Sequence, residues 1–202
     1  MESNRNALIL ASSSPRRQEL IRLLGYPVEV VPSDADESVE EGWSPARIVE
    51  ELSLRKALAV LERLPARVGA GGIVVGSDTI VVSDGRALGK PRDDEDAAAM
   101  LRSLQGRPHE VYSGLALVDA ASPGKRSVSH RMTRVWMKAM DERRIRNYIA
   151  TGEPRDKAGS YAIQGFGATL VERMEGDYFT VVGLPVSLAA DLLERDFGWR
   201  VL

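Results

Sequence analysis

The amino-acid sequence predicts an α/β protein. Short apolar runs of strand length alternate with stretches whose apolar residues recur every three or four positions, as on one face of a helix. Hydrophobic residues make up 44% of the 202 residues, which is enough for one substantial core. We therefore expect a single domain over residues 1–202, with room for two lobes.

The N-terminal half alternates strand and helix. We predict a strand at residues 7–11, a helix at 15–24, a strand at 27–32, a helix at 44–64 and a buried strand at 72–82. Gly25 ends the first helix, and Asp84 with Gly85 is a hairpin signal that turns the chain back after the long strand.

The C-terminal half continues this alternation. We predict a helix at residues 93–104, strands at 110–118 and 128–138, a helix at 141–151, strands at 168–171 and 178–182, and a helix at 185–197. The sequence contains no repeat, low-complexity tract or obvious interdomain linker.

The composition excludes several classes of function. The formal net charge is −2, so nothing favours nonspecific binding to nucleic acid or to an anionic membrane. The absence of cysteine excludes disulfides, thiolate nucleophiles and thiolate metal ligands, and two histidines are too few for a histidine-rich metal centre. The N-terminal apolar run is too short for a signal peptide or a membrane span, so we expect a cytoplasmic protein.

The stretch between the first strand and the first helix predicts an anion site. Ser14 should cap the helix and Pro15 should begin it, because serine is a good N-cap and proline suits the first turn. Arg16 and Arg17 then oppose the positive end of the helix dipole, at about 0.3–1 kcal/mol each. A phosphate bound by the free backbone N–H groups, the hydroxyls and both guanidinium groups explains this placement. The alternative is a capped surface helix with two solvated arginines.

Two charged residues interrupt apolar patterns. Asp78 lies in the middle of the strand at 72–82, where a carboxylate needs an ion pair, hydrogen bonds or a metal. Lys56 lies on an apolar helix face, and if it points inward it needs an anion such as a phosphate or a carboxylate. The alternatives are a capping aspartate at a strand break beside Gly76 and a lysine that extends along its helix to solvent.

Three loops offer further polar groups. Glu37 ends an acidic loop that is either a solvated turn or a source of hard oxygen ligands for magnesium or manganese. Lys90 follows the hairpin, as a cation of the site or an ordinary turn lysine. Gln164 lies in a glycine-spaced loop at 159–167 that matches neither a P-loop nor a dinucleotide fingerprint. Its amide either reads a base or satisfies the loop backbone.

Seven segments, taken in order, resemble one known family. They are LILASSSPRRQEL, SDADE, LRKA, GSDTIVV, LGKPRD, HEVYSGLAL and GEPRDKAGSYAIQGFGATLVERMEGDYFTVVGLP. Each segment is a weak signal alone, but their order and spacing over residues 8–193 are hard to obtain by chance. On this basis the chain is identified as a member of the Maf family of nucleoside triphosphate pyrophosphatases.

The resemblance implies both a fold and a reaction. The fold is similar to that of the inosine triphosphate pyrophosphatases: a long twisted mixed sheet flanked by helices, with two lobes around a cleft. The reaction is hydrolysis of a nucleoside triphosphate to the monophosphate and pyrophosphate, with magnesium, manganese or cobalt. One subgroup prefers dTTP and UTP and the other 7-methyl-GTP. The segments YAIQG and GDYFTVVG look like the first subgroup, whereas Ser77 precedes Asp78 as a serine does in the second.

The resemblance also implies the roles of particular residues. The catalytic group is Asp78, Lys56, Lys90 and Glu37, the metal ligands are Asp78 and Glu37, and the substrate-binding group is Ser12, Ser14, Arg16, Arg17, Thr79 and Gln164. Asp78 is expected to activate a water that attacks the α-phosphorus, and the cations to neutralise charge on the triphosphate. Arg16, Thr79 and Gln164 are tied to substrate choice, and Gln164 is expected to hydrogen-bond a pyrimidine edge.

Two other functions stay open on the sequence alone. One is the same chemistry on 7-methyl-GTP, and the other is a nonenzymatic nucleotide-binding regulator of septum formation. We expect a nucleoside triphosphate as the ligand, no nucleic-acid or membrane partner, and a homodimer, since such folds commonly form one.

Overall fold

The helices and strands alternate along the chain as the sequence predicts. The computed structural model describes residues 6–64 and 71–201. In chain order the elements are β1 (Ala7–Leu10), α1 (Pro15–Arg22), β2 (Val28–Val30), α2 (Pro45–Leu61), β3 (Gly72–Ser83), β4 (Arg86–Leu88), α3 (Asp94–Leu104), β5 (Pro108–Asp119), β6 (Arg126–Met137), α4 (Glu142–Ala150), β7 (Val171–Glu175), α5 (Tyr178–Val182) and α6 (Val186–Leu192). Short 3₁₀ turns lie at Glu153–Asp156, Ala158–Ser160 and Gly165–Leu170, and a π-helical turn at Leu193–Phe197 follows α6.

The described strands form a mixed sheet in the order β2-β1-β3-β5-β6-β7, with β4 paired to β3. Strand β1 runs parallel to both neighbours, so that Leu8 lies opposite Val28 on one side and Ile73 on the other. The β3–β4 and β6–β7 pairs are antiparallel. The prediction of an α/β fold with a mixed sheet flanked by helices is therefore confirmed.

The chain divides into two compact units, which we call unit 1 and unit 2. Unit 1 comprises residues up to 78 together with 113–131 and 183 onward, and unit 2 comprises 79–112 and 132–182. In unit 1, Ile9 of β1 and Val74 of β3 pack against Ala57 and Val60 of α2. The expectation of one domain over residues 1–202 stays a prediction.

Unit 2 has an apolar core of its own. Leu101 of α3 and Ile145 of α4 belong to its buried cluster, as does Tyr161. The Tyr161 hydroxyl lies 2.6 Å from Nε2 of the buried His109. Burial lowers the pKa of His109 to about 4, so the imidazole is neutral at physiological pH.

Local turn chemistry agrees with the sequence at the hairpin between β3 and β4. Asp84 and Gly85 both have positive φ, at 50° and 74°. Two consecutive positive φ angles are typical of the turn that matches the twist of antiparallel strands. The predicted hairpin is confirmed.

Two predictions for the C-terminal half are wrong. Residues 178–182 form helix α5 rather than a strand, because the Asp177 carboxylate accepts the Thr180 N–H at 2.9 Å and the Thr180 hydroxyl at 2.8 Å. This cap overrides the strand preference of Tyr-Phe-Thr-Val-Val. Residues 168–170 lie in a 3₁₀ turn, and the strand begins only at Val171. No helix within residues 6–64 or 71–201 is long and apolar enough to cross a bilayer.

Candidate active site

A lysine ammonium and two carboxylates meet in unit 1. Nζ of Lys56 lies 2.6 Å from Oδ1 of Asp78 and 2.7 Å from Oε1 of Glu37. The side chains of Lys56 and Asp78 are only 11% and 12% exposed, whereas that of Glu37 is 64% exposed. Lys56 thus points inward from α2, and Asp78 lies within the continuous strand β3 rather than at a strand break. We call this group the Lys56 cluster.

Two glycines let α2 approach the sheet closely enough to form this cluster. A Cβ at Gly76 of β3 would lie 2.0 Å from the Ser53 carbonyl oxygen, and one at Gly114 of β5 would lie 2.1 Å from the Val49 carbonyl oxygen. Any side chain at either position would therefore hold the helix away from the strands. Lys56 follows Ser53 by three residues, so the backbone contact at Gly76 sets the reach of its ammonium to Asp78.

The hydroxyl of Ser77, which precedes Asp78, contacts two backbone carbonyl groups. Its side chain is fully buried, and its hydroxyl oxygen lies 2.8 Å from the Gly114 carbonyl and 3.0 Å from the Gly183 carbonyl. One hydroxyl proton can serve only one of these acceptors at a time. The serine at this position is therefore explained by the packing of unit 1 itself.

The N-terminus of α1 lies close to the same group of residues. Ser14 occupies the N-cap position and Pro15 the first helical position, as predicted. In the described part of the chain, however, the Ser14 hydroxyl makes no capping hydrogen bond to α1. Its backbone N–H instead donates to the Ser12 hydroxyl at 3.2 Å, because the chain turns between the two serines. The side-chain cap expected of Ser14 is thus absent, although the helix begins where predicted.

Arg17 links α1 to the C-terminal segment of unit 1. Its Nε donates to the Gly183 carbonyl at 2.8 Å, and one terminal nitrogen lies 3.5 Å from the Ser12 hydroxyl. Desolvation lowers the pKa of Arg17, while the carboxylates of Asp78 and Glu37 raise it in part. Arg17 therefore feels the same two carboxylates that Lys56 contacts, and unit 1 holds two cations beside two anions.

Three of the predicted site residues belong to unit 2. Thr79 follows Asp78 directly along β3 and is half-buried. Lys90 is exposed in the loop after β4, where the neighbouring Gly89 carbonyl accepts the Gly159 N–H at 3.1 Å. Gln164 is half-buried in the turn that precedes the last 3₁₀ turn. The structure thus brings Ser12, Arg17, Glu37, Lys56 and Asp78 together within unit 1, and the functional roles of all the predicted site residues remain predictions.

The carboxylates of the Lys56 cluster are the candidate ligands of a divalent cation. Over the described ranges, no three side chains of the types His, Cys, Asp and Glu come together as a metal site. Magnesium, however, commonly takes only one or two carboxylates and completes its shell with water and substrate phosphates. Asp78 and Glu37 converge on one positive charge and supply hard oxygen atoms, so they fit this kind of site.

Sequence reasoning missed two glycines whose backbone contacts position the residues of the cluster. Gly114 carried a usable signal, because a glycine within a strand pattern marks a close approach of another backbone. Gly183 carried none, since its contribution is a carbonyl oxygen that any residue would possess. Its partner Arg17 was found only through the charge pattern of α1.

Comparison with known proteins places the chain in a family. A family model described as "Maf-like protein" matches residues 7–196. The chain belongs to the Maf family. That match spans all of the segments that carry the resemblance found in the sequence, so the predicted family is confirmed.

Curated Maf relatives are similar over nearly their full lengths. The protein named "dTTP/UTP pyrophosphatase" of Pelotomaculum thermopropionicum is 49% identical over 195 residues, covering 96% of this chain and 98% of that one. The protein of the same name from Moorella thermoacetica is 50% identical over 186 residues, covering 92% and 93%. Among solved structures, the Staphylococcus aureus Ham1 protein is 16% identical and covers 82% of this chain and 79% of its own, with a TM-score of 0.47.

Proposed function

We propose that this Maf protein hydrolyses dTTP and UTP to the nucleoside monophosphate and pyrophosphate. The observation that carries the proposal is the Lys56 cluster, in which a buried carboxylate within an apolar strand is paired with an ammonium beside the arginine-bearing start of α1. The name shared by relatives that are 44–50% identical supports the choice of substrate. Closely related modified pyrimidine nucleotides belong to the same substrate class.

Asp78 is the general base in this scheme. Lys56 engages its Oδ1, and the Asp78 carboxylate accepts a proton from the attacking water. The water oxygen forms a bond to the α-phosphorus, the bridging bond between the α- and β-phosphates breaks, and pyrophosphate leaves. Lys56 fixes the carboxylate orientation, and its ammonium also lies where it can balance negative charge on the substrate.

The phosphates bind to the cationic start of α1. The Ser12 and Ser14 hydroxyls and the first N–H groups of α1 hold phosphate oxygens, and Arg16 and Arg17 neutralise their charge. We assign Lys90 to the triphosphate as a further cation.

A divalent cation completes the charge balance of the reaction. Asp78 and Glu37 would hold it, and the cation, when bound, withdraws negative charge from the phosphate oxygens. Magnesium and manganese are the first choices, with cobalt as the third, since all three accept oxygen ligands.

Thr79 and Gln164 select the base, together with Arg16. A site that hydrogen-bonds a pyrimidine edge rejects other bases strongly, because its buried polar groups would otherwise lose their partners. An amide can donate and accept at once, so Gln164 suits the mixed donor and acceptor edge of uracil or thymine.

Pyrophosphate release by the purified protein tests the proposal. We expect metal-dependent turnover of dTTP and UTP above CTP, dATP, GTP and 7-methyl-GTP, and its loss when the metal is chelated. Asp78→Asn should remain folded by circular dichroism and lose turnover by at least about 100-fold, the lower end for a general base. Asp34→Asn is the control, since Asp34 lies in the acidic loop with a side chain that is 72% exposed.

The possible outcomes separate the alternatives. Preference for 7-methyl-GTP would keep the chemistry and overturn the assigned base. Nucleotide binding without turnover of any triphosphate would favour the nonenzymatic regulator. Wild-type activity in folded Asp78→Asn would remove Asp78 from the mechanism. Light scattering on the same preparation tests the predicted homodimer.

A further inference from the structure

The turn that carries Gln164 is closed tightly on itself. A Cβ at Gly167 would lie 2.1 Å from the Ala162 carbonyl oxygen, so the two ends of residues 162–167 touch through their backbones. Ile163 is buried beside Gln164. Within the described residues, the Gln164 side chain makes no capping hydrogen bond to the 3₁₀ turn that follows. Its side-chain amide is therefore not used to cap that turn.

Glu153 closes the C-terminal side of this turn. Its Oε1 accepts the Phe166 N–H at 2.8 Å and its Oε2 accepts the Gly167 N–H at 3.0 Å. Both oxygens of one carboxylate therefore bind the two amides that start the 3₁₀ turn, where a negative charge is also favoured by the orientation of the peptide dipoles.

The chain is shaped to admit this carboxylate. Gly165 has a φ of +62°, and a Cβ there would lie 2.3 Å from Oε1 of Glu153. Glu153 is itself fixed at the start of its own 3₁₀ turn, where its N–H donates to the Thr151 hydroxyl at 3.2 Å. The two hydrogen bonds of Glu153 to the turn therefore require both the glycine at position 165 and an oriented glutamate.

A second anchor holds the N-terminal side of the turn. The Tyr148 hydroxyl accepts the Ala162 N–H at 3.0 Å. Gln164 thus lies between two fixed points, Ala162 on one side and the Phe166–Gly167 amides on the other. The backbone of the turn is held by side chains of α4 and of the segment that follows it.

We infer that Glu153 is a positioning residue for base selection, which acts by holding the backbone that presents the Gln164 amide. The inference rests on the proposed role of Gln164 in binding the base. Selection by a hydrogen bond requires a donor and acceptor that are already oriented, because ordering a loose loop consumes part of the binding free energy for the correct base. Glu153 supplies that order without contacting the substrate.

The test compares Glu153→Gln with a matched carboxylate-to-amide change. Asp141→Asn is the control, because Asp141 also accepts a backbone N–H, from Arg144 at 2.7 Å, but caps α4 instead of the Gln164 turn. For Glu153→Gln we expect KM for UTP to rise about tenfold while kcat changes less than about threefold, and the UTP-over-GTP ratio of kcat/KM to fall about tenfold. Asp141→Asn should leave that ratio within about twofold of wild type.

Two further measurements distinguish positioning from a general loss of structure. Hydrogen exchange at the Phe166 and Gly167 amides should accelerate in Glu153→Gln and stay slow in Asp141→Asn. In a Gln164→Ala background, Glu153→Gln should cause no further loss of base selectivity, because both changes act through one group. If Glu153→Gln does not fold, Glu153→Asp keeps the charge, shortens the reach and should lower the ratio in the same direction.

The test distinguishes failure of this inference from failure of the proposed function. If the wild-type protein turns over UTP and its selectivity survives in folded Glu153→Gln, or the Glu153 and Gln164 effects are additive, the inference is overturned while the reaction stands. If the wild-type protein shows no preference for pyrimidine nucleotides, the proposed base selection fails before any variant is compared. Faster exchange at both amides together with a non-additive loss of selectivity supports the inference.

Discussion

Removing the ammonium of the Lys56 cluster should strongly destabilise the protein. Lys56 lies 2.6 Å from Asp78, and both side chains are little more than a tenth exposed. At an effective dielectric constant of 20 that distance gives a gross attraction of about 6 kcal/mol, roughly half of which desolvation offsets. We therefore expect Lys56→Met to lower the free energy of unfolding by about 3 kcal/mol, because Asp78 would stay buried without its partner.

Urea unfolding at pH 7 in metal-free buffer, followed by circular dichroism, measures this change. Glu37→Gln is the matched control, since Glu37 pairs with the same ammonium but is 64% exposed, and it should cost less than about 1 kcal/mol. Adding Asp78→Asn to Lys56→Met should restore part of the lost stability, because the buried carboxylate that lost its ammonium partner is no longer charged. Equal losses in Lys56→Met and Glu37→Gln, or a further loss in the double variant, would refute the reasoning.

Two other predictions concern backbone contact and pH. Gly76→Ala and Gly114→Ala should each lower the free energy of unfolding by about 2–3 kcal/mol, since the new methyl group overlaps α2. Gly124→Ala is the control, since a Cβ there would lie within 4 Å of no described atom beyond its chain neighbours, and it should cost less than about 1 kcal/mol by the same urea unfolding. Burial lowers the pKa of His109 from 6.5 to about 4, so below pH 6.5 the unfolded chain takes up a proton that the folded protein refuses. Stability should be full above pH 6.5 and fall by about 3 kcal/mol as the pH drops to 4, and His109→Gln should remove that part of the pH dependence; parallel pH–stability curves for the two proteins would contradict it.

The sequence was sufficient at several positions where local chemistry decides the structure. Asp84 and Gly85 are residues that tolerate positive φ, so the hairpin followed from their identity alone. Ser44 and Asp93 cap α2 and α3 as their residue types indicate, through hydrogen bonds to Arg47 N–H and Asp96 N–H. These features need no knowledge of the rest of the chain.

The composition of the Lys56 cluster was predictable only in part. A carboxylate in an apolar strand and a lysine on an apolar helix face each indicate a charge that needs a partner. The sequence therefore pointed to both Asp78 and Lys56. That they satisfy each other depends on how closely α2 approaches β3, which is set by Gly76 and by Gly114 of another strand. A glycine within a strand indicates a close approach of another backbone, but no local pattern says which element makes it.

The wrong prediction at α5 arose because a strand propensity in the sequence is overridden by specific hydrogen bonds. The residues Tyr-Phe-Thr-Val-Val favour a strand by composition, yet Oδ1 of Asp177 accepts the Phe179 N–H and Oδ2 accepts the Thr180 N–H in the first turn of a helix. Thr133 also donates to the Asp177 carbonyl and accepts its N–H, at 2.9 Å each. Contacts from a distant strand thus fix the residue that begins the helix, and strand propensity carries less weight than these bonds.

Because of the two glycines beneath α2, the spacing between Lys56 and Asp78 can stay constant during evolution while the stability of the surrounding core changes. The position of Lys56 relative to Asp78 is set by main-chain atoms in contact, at Gly76 against Ser53 and at Gly114 against Val49. Side chains of the surrounding core can therefore change to other apolar residues of similar volume, with gains or losses of thermal stability, while Lys56 and Asp78 keep their spacing. The two glycines themselves have no such latitude, so substitutions should accumulate around them and not at them.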